Sequence, residues 1–142
     1  MVVYGTPARY PGRTAMKFMG IDHFVLTVED VDASCAFYEA LGAEVVTFGD
    51  DRTAIRFGEQ KINLHPVDND IDLVAAEPTP GGGDFCLVTE TAIEAVERQL
   101  RKRDIEIIAG PVKRTGATGP ITSVYFRDPD ANLVEIGTYD EA

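Results

Sequence analysis

The residues HFVLTVED at positions 23–30 form a pattern that the chain repeats as DFCLVTE at positions 84–90. Each copy begins with a polar residue, continues as an apolar run typical of a β-strand, and ends in residues suited to starting a helix. The two copies lie 61 residues apart. A repeat of this length predicts two similar modules, neither of which is large enough to bury both of its faces alone.

The first copy opens a βαβββ module that we place at residues 20–76. Asp30 is suited to cap a helix over VDASCAFYEALG, and Gly42 is suited to end it. Three strand-like runs follow, AEVVTFG, RTAIRFG and QKINLHP, and the turn signals GDD and GEQ separate them. Residues 1–19 have no periodicity, so they are expected to form a flexible N-terminal extension.

The second copy opens the same order of elements at residues 83–139, after the connector EPTPGGG. Thr89 or Thr91 is expected to cap a helix over AIEAVERQLRKR, and DIEIIAGP, ITSVYFRD and NLVEIGTY are expected to be strands. The sequence therefore predicts an α+β fold in which two βαβββ modules form a half-open mixed β-barrel around a shared cavity. A plain α+β sheet without internal symmetry is the alternative.

Composition narrows the class of protein. A chain of 142 residues with 44% hydrophobic content is the size of one globular domain. Its formal charge of −11 argues against a nucleic-acid partner, because such binding depends on clustered Lys and Arg. We expect a cytoplasmic protein without a membrane span, because no apolar stretch approaches the roughly 20 residues that a span requires. Cys35 and Cys86 are expected to be free thiols in the core.

Each of the two histidines of the chain lies at the end of an apolar, strand-like run: His23 begins HFVLTV and His65 ends KINLH. Strand alternation places His23 on the face away from the helix, and the repeat makes Asp84 its counterpart. The run INLH places His65 where NLVE places Glu135. Any one of these residues alone is an ordinary strand-end residue, but four on one face predict a site for a divalent transition metal with open coordination positions.

Longer motifs resemble a known family. The segments FYEALG and YFRDPDANLVEI are similar to those of the vicinal oxygen chelate superfamily, which includes glyoxalase I, fosfomycin-resistance thiol transferases, bleomycin-binding proteins and extradiol dioxygenases. The resemblance covers residues 20–139, and FGEQKINLH with GPVKRTGATGP most resembles members that are like glyoxalase domain-containing protein 5. It implies a divalent metal (Ni, Zn, Mn or Fe) held by the equivalents of His23, His65, Asp84 and Glu135. Glyoxalase I typically has Glu in place of His65 and His in place of Asp84.

Two further side chains are expected near Glu135. If DPDAN turns the chain tightly, Tyr125 lies opposite Glu135 on the same face, where it is a candidate substrate-binding residue or an ordinary half-buried strand tyrosine. Cys86 also points toward this face, where a small buried hydrophobe is the simpler interpretation than a nucleophile.

Two arginines are candidate substrate-binding residues. A tight turn at Glu59–Gln60 would set Arg56 opposite Asn63, where it could bind a substrate anion or simply pair with an acidic neighbour. Arg114 belongs to the Gly-rich segment KRTGATGP, which could present it to a substrate or form a plain hairpin connection.

The resemblance to glyoxalases implies a metal-dependent lyase or isomerase that acts on a small substrate chelated through adjacent oxygens, with Glu135 as both ligand and base. The alternatives are an extradiol-type ring-cleaving dioxygenase and a non-enzymatic module that binds a small molecule or drug, and a thiol transferase is less favoured. The exposed sheet edges of paired modules also predict a homodimer.

Overall fold

The computed structural model describes residues 16–140, so most of the predicted extension at residues 1–19 lies outside the described part of the chain. The elements, in chain order, are β1 (His23–Val28), α1 (Val31–Ala40), β2 (Glu44–Phe48), β3 (Arg52–Phe57), β4 (Gln60–Pro66), β5 (Asp84–Val88), α2 (Ile93–Lys102), β6 (Ala109–Gly116), β7 (Gly119–Arg127) and β8 (Leu133–Tyr139). The α+β class and the order βαβββ in each half agree with the expectation from the sequence.

The strands form two four-stranded sheets of identical topology. The strand orders are β1-β4-β3-β2 and β5-β8-β7-β6, and in each sheet the first pair is parallel while the other two are antiparallel. This internal symmetry rules out the single unsymmetrical sheet that the sequence had left as an alternative. We call the two units module 1 and module 2. No strand of one sheet pairs with a strand of the other, so the described chain does not close a barrel by itself.

The two helices begin differently. Asp30 caps α1 as predicted, because its side chain accepts a hydrogen bond from the amide of Ala33 at 3.1 Å. Helix α2 begins after Ala92 without a side-chain cap, so the predicted capping role of Thr89 or Thr91 was wrong. The hydroxyl of Thr89 instead accepts a bond from the Thr91 amide at 3.1 Å, in the turn before the helix.

Strand β6 begins later than the sequence suggested. The run DIEIIAGP was expected to be a strand, but residues 104–108 have no regular structure and pairing begins at Ala109. The segment KRTGATGP is mostly strand, with a turn at residues 117–118. The alternation of Ile105 and Ile107 with polar residues resembles that of a strand. Both side chains do pack against the core, but they do so from a segment without regular structure.

Each sheet has a helix face and an open face. The helix faces carry the core, whose buried members in the strands are Leu26, Val28, Ile55, Ile62, Leu64, Val124, Phe126 and Val134. The core is continuous between the modules, since the rings of Phe24 and Phe85 meet at 5.1 Å between centroids. Within residues 16–140, no helix is long and apolar enough to cross a membrane.

The turn after β7 joins the two modules. Buried Asp128 accepts hydrogen bonds from the Tyr38 hydroxyl at 2.6 Å and from the side-chain amide of Asn132 at 2.8 Å. Asn132 in turn accepts a 2.7 Å bond from the amide of Gly83. A Cβ at Gly83 would lie 2.7 Å from the Leu26 side chain, so only glycine fits where the connector enters β5. This turn therefore fixes the open faces of the two modules relative to each other.

Candidate metal and substrate site

The strand registers define which residues share each open face. On module 1, the parallel pairs that share the open face are His23–Lys61, Val25–Asn63 and Thr27–His65. On module 2, the corresponding pairs are Asp84–Leu133, Cys86–Glu135 and Val88–Gly137. Residues paired across parallel strands point to the same side of the sheet. His23 and Asp84 thus occupy equivalent positions, as the repeat predicted.

The same registers correct the predicted equivalence of His65 and Glu135. Asn63, rather than His65, occupies the position in module 1 that Glu135 occupies in module 2, and the counterpart of His65 is Gly137. The predicted alignment of β4 with β8 was wrong by two residues. It matched the motifs INLH and NLVE from end to end, without knowledge of how each strand pairs with its neighbour. A Cβ at Gly137 would lie 2.7 Å from the Ser123 hydroxyl, so module 2 has no room for a histidine at this place without rearrangement.

Asn63 is a candidate donor that the sequence did not single out. Its side chain is only 5% exposed, and its amide oxygen has no hydrogen-bond partner within residues 16–140. A buried carbonyl oxygen without a partner costs free energy unless something outside the chain satisfies it. Asn63 therefore has an oxygen on the open face of module 1 for which the described residues provide no donor.

The two histidines have different surroundings. His23 is exposed, and its Nδ1 lies 2.8 Å from the carboxylate of Asp22, a contact that leaves Nε2 available as a ligand. His65 is buried, and its Nε2 lies 3.1 Å from the guanidinium of Arg52. Because a guanidinium only donates, the imidazole accepts and is neutral there. Burial, together with the nearby positive charge of Arg52, lowers the pKa of His65.

Glu135 has a group of polar neighbours on the open face of module 2. Tyr125 lies directly across from Glu135 in the antiparallel pair β7–β8, as predicted. Nε of Arg114 donates a 3.2 Å bond to the Tyr125 hydroxyl, so the predicted substrate-binding residues Arg114 and Tyr125 contact each other. Burial and the Glu135 carboxylate raise the pKa of Tyr125, so the phenol stays protonated at neutral pH.

Cys86 was expected to be buried, but the residue is exposed beside Glu135. Partial desolvation of its thiol and the charge of Glu135 raise the pKa of Cys86 to about 11. The exposure arises because the open face of module 2 is uncovered at its parallel strand pair. A protonated thiol at this place is a poor nucleophile and a poor metal ligand.

Arg56 has a different neighbour from the predicted one. It lies opposite Lys61 rather than Asn63, because Phe57 pairs with Gln60 across the turn. Its guanidinium is exposed and donates a 2.9 Å bond to the carbonyl of Gly58, at one end of the open face. The positive charge that contacts His65 belongs to Arg52, a residue that the sequence did not indicate.

The predicted metal ligands do not converge within one chain. Within residues 16–140, no group of three His, Cys, Asp or Glu side chains lies close enough together to hold one metal ion. Asp84 and His65 do line a common cleft of about 790 Å³ between β1 and the connector. His23 and Asn63 belong to one open face and Glu135 to the other, so each face carries part of a donor set.

Several known proteins are similar to this chain. Residues 20–136 match the model of the Glyoxalase/Bleomycin resistance protein/Dioxygenase superfamily. The chain is 50% identical over 120 residues to virulence protein STM3117 of Salmonella typhimurium, a match that covers 84% of this chain and 83% of the relative. It is 46% identical over 127 residues to glyoxalase domain-containing protein RDO1 of Mycosarcoma maydis, a match that covers 89% of this chain and 72% of the relative.

A solved structure has the same fold. An integron cassette protein from V. cholerae, VCH_CASS1, superposes with a TM-score of 0.87 at 45% identity, covering 89% of this chain and 100% of that structure. The sequence match, the paired βαβββ topology and the structural similarity all agree. The chain belongs to the Glyoxalase/Bleomycin resistance protein/Dioxygenase superfamily.

Proposed function

We propose that this protein is a metal-dependent lyase or isomerase of the glyoxalase type, acting on a small substrate that presents two adjacent oxygens. The observation that carries this proposal is the position of Glu135, which lies beside a protonated phenol on an open face. A carboxylate in such a place is suited to accept a proton from bound substrate. A purely sequestering module has no use for a base so placed.

The donor set favours a divalent metal. We propose His23, Asp84 and Glu135 as ligands, together with one ligand from β4. His65 is the ligand predicted from the sequence, but it must leave Arg52 to coordinate through Nε2. The partnerless oxygen of Asn63 stands at the position equivalent to Glu135, so we propose Asn63 for this fourth place. One imidazole with oxygen ligands suits Ni, Zn, Mn or Fe.

The site is proposed to form between two chains. Module 1 of one protomer would face module 2 of its partner, and the two open faces would complete a half-open barrel. Apolar residues support such a contact, since Val25 is 44% exposed and Val88 is 63% exposed on these faces. A homodimer of this kind has two identical sites, because the contact is repeated by the two-fold symmetry.

The residues of the chain have distinct roles in this proposal. The metal, when bound, supplies a positive charge that stabilises the negative charge developing on the chelated oxygens. Glu135 removes the neighbouring proton and later returns it. Tyr125 is positioned to donate a hydrogen bond to substrate, and Arg114 orients the Tyr125 ring through the 3.2 Å contact. The apolar flank of the parallel strands limits the access of water.

Mixing two inactive variants tests both the ligands and the shared site. His23→Ala and Glu135→Ala each remove one ligand from both sites of a homodimer. If the site is shared, a mixed dimer has one site with both changes and one intact site. Reassembly of equal amounts should therefore restore about one quarter of the parent's metal content and turnover. No recovery, with mixed dimers shown by native mass spectrometry, would contradict the shared site.

A further inference from the structure

The open face of module 1 carries positive charges that the proposed metal site does not use. Across the sheet, Thr27 and His65 are paired, Arg52 reaches His65, and Phe48 pairs with Arg52. This row lies two residues along β4 from Asn63, about 7 Å away at the rise of an extended strand. A group bound in this row would therefore lie beside the proposed metal rather than on it.

Two cations of the open face approach the Phe48 ring of this row. Arg52 belongs to the row, whereas Lys61 lies four residues before His65 on β4 and reaches the ring with its long side chain. The Lys61 ammonium lies 3.6 Å from the centroid of the Phe48 ring, and the guanidinium carbon of Arg52 lies 5.3 Å from the same centroid. Both side chains are only partly exposed. Cation–π contacts offset part of the desolvation of these charges. The two like charges nevertheless repel each other, so the arrangement favours an added anion.

Neither cation forms an ion pair with a carboxylate within the described residues. The ion pairs of residues 16–140 are His23–Asp22, Arg101–Glu97 and Lys113–Asp140, and neither Arg52 nor Lys61 takes part in one. The chain has 24 acidic and 13 basic residues, so acidic partners are abundant. Two partly exposed cations without an ion-pair partner among the described residues are therefore free to contact an external anion.

His65 prepares one of these cations for binding. Its Nε2 accepts a single hydrogen bond from Arg52, which holds the guanidinium on the open face. A guanidinium has five N–H donors, so most of them remain for a ligand in the forked geometry that suits a carboxylate. His65 is thus a positioning residue for Arg52.

We propose that Arg52 and Lys61 bind an anionic group of the substrate, a carboxylate or a phosphate, beside the proposed metal. That the bound anion is part of the substrate rests on the proposed function. If it is, the substrate is a small molecule that carries a carboxylate or a phosphate. Arg56 takes no part, because its guanidinium lies at the exposed end of the face on the carbonyl of Gly58.

Binding of simple anions to metal-free protein tests this assignment independently of the metal. The probes are succinate, inorganic phosphate and the uncharged succinamide, titrated by calorimetry at low ionic strength, where screening is weak. The parent should bind succinate or phosphate and not succinamide, and the preferred anion distinguishes the two chemistries. Arg52→Gln should weaken this binding about ten-fold or more, as expected for the loss of a charged hydrogen bond.

Three further variants complete the test. Arg56→Gln is the matched control, because it removes a guanidinium from the same face and should leave the affinity unchanged. Lys61→Gln changes a partly exposed side chain, so this variant should fold. It should weaken anion binding, and it keeps the test valid if Arg52→Gln does not fold. His65→Gln should weaken binding less than Arg52→Gln, because the amide can still accept from Arg52.

Several results would overturn the proposal. The first is a parent protein that binds neither succinate nor phosphate. The second is an equal affinity of Arg52→Gln and Arg56→Gln for the anion. The third is an Arg52→Gln variant whose only defect is weaker self-association. The last result would mean that a carboxylate of the partner neutralises these cations. Metal analysis of the parent before the metal is removed, and after metal is added back, separates the two proposals. A parent that binds anions but neither purifies with a metal nor takes one up would count against the proposed function alone.

Discussion

The hydroxyl of Tyr38 in α1 donates a 2.6 Å hydrogen bond to the carboxylate of Asp128, which follows the last residue of β7 in the other module. Both residues are buried, and burial with the adjacent carboxylate raises the pKa of Tyr38, so the phenol remains a donor throughout the usual pH range. The bond therefore ties the helix of module 1 to the turn that supports β5 and β8 of module 2.

Tyr38→Phe should lower the free energy of unfolding by about 1.5–3 kcal/mol, because a hydrogen bond to a buried charge is lost without a large change of volume. Chemical denaturation measures this change. Tyr139→Phe is the matched control, because the Tyr139 hydroxyl is at the surface, where it accepts a 3.3 Å bond from the Thr118 amide. The control should change stability by no more than about 0.5 kcal/mol. Equal losses in both variants would contradict a special role of Tyr38.

Substitutions in β4 should distinguish the two candidate ligands of that strand. Asn63→Leu removes the partnerless oxygen with a similar side-chain size and should lower metal affinity about ten-fold or more, whereas His65→Gln should lower it much less. Metal content after dialysis, measured by elemental mass spectrometry, gives the answer. Melting temperatures show whether either variant is simply unfolded. The opposite order of affinities would make His65 the ligand, as the sequence suggested.

Glu135→Gln and His23→Ala should separate base from ligand. The Gln side chain can still coordinate through its oxygen but cannot accept the proton, so Glu135→Gln should retain much of the metal and lose turnover. His23→Ala should lose the metal itself. Hemithioacetals are suitable first substrates, and catechols with the iron-loaded parent test the ring-cleaving alternative. Oxygen consumption with a catechol would remove the isomerase-type proposal.

Cys86 should be slow to alkylate although it is exposed. With its pKa raised to about 11, the thiol is almost entirely protonated at pH 8, so iodoacetamide should react about a hundred-fold more slowly than with an unperturbed thiol. The rate should rise as the pH approaches 11. In metal-free protein, Glu135→Gln should speed the reaction because it removes a charge that raises this pKa. An unchanged rate in that variant would show that desolvation alone protects the thiol.

The repeat in the sequence was sufficient to predict the fold class and the order of elements, because two strand-and-cap patterns 61 residues apart are followed by the same succession of apolar runs. It also predicted the cross-strand pair Tyr125–Glu135, since the turn DPDAN has a well-defined register.

The remaining site residues depended on information that local patterns do not contain. The equivalence of Asn63 and Glu135 follows from how β1 pairs with β4 and β5 with β8, and a parallel pair has no tight turn to fix its register. Arg52 was missed because its relation to His65 is a cross-strand contact that depends on the turn between β3 and β4. That turn was placed one residue too late, which shifted every partner across it by two.

The unequal pair Asn63 and Glu135 has a consequence for stereochemistry. The two side chains differ by one methylene and by amide against carboxylate, and they stand at matching places of the two open faces, yet only one of them is basic. In the proposed site, a substrate held between two such faces would meet a proton acceptor on one side and an inert amide on the other. We therefore expect the reaction to remove a proton from one prochiral face only, and to process one enantiomer of a chiral substrate in preference to its mirror image.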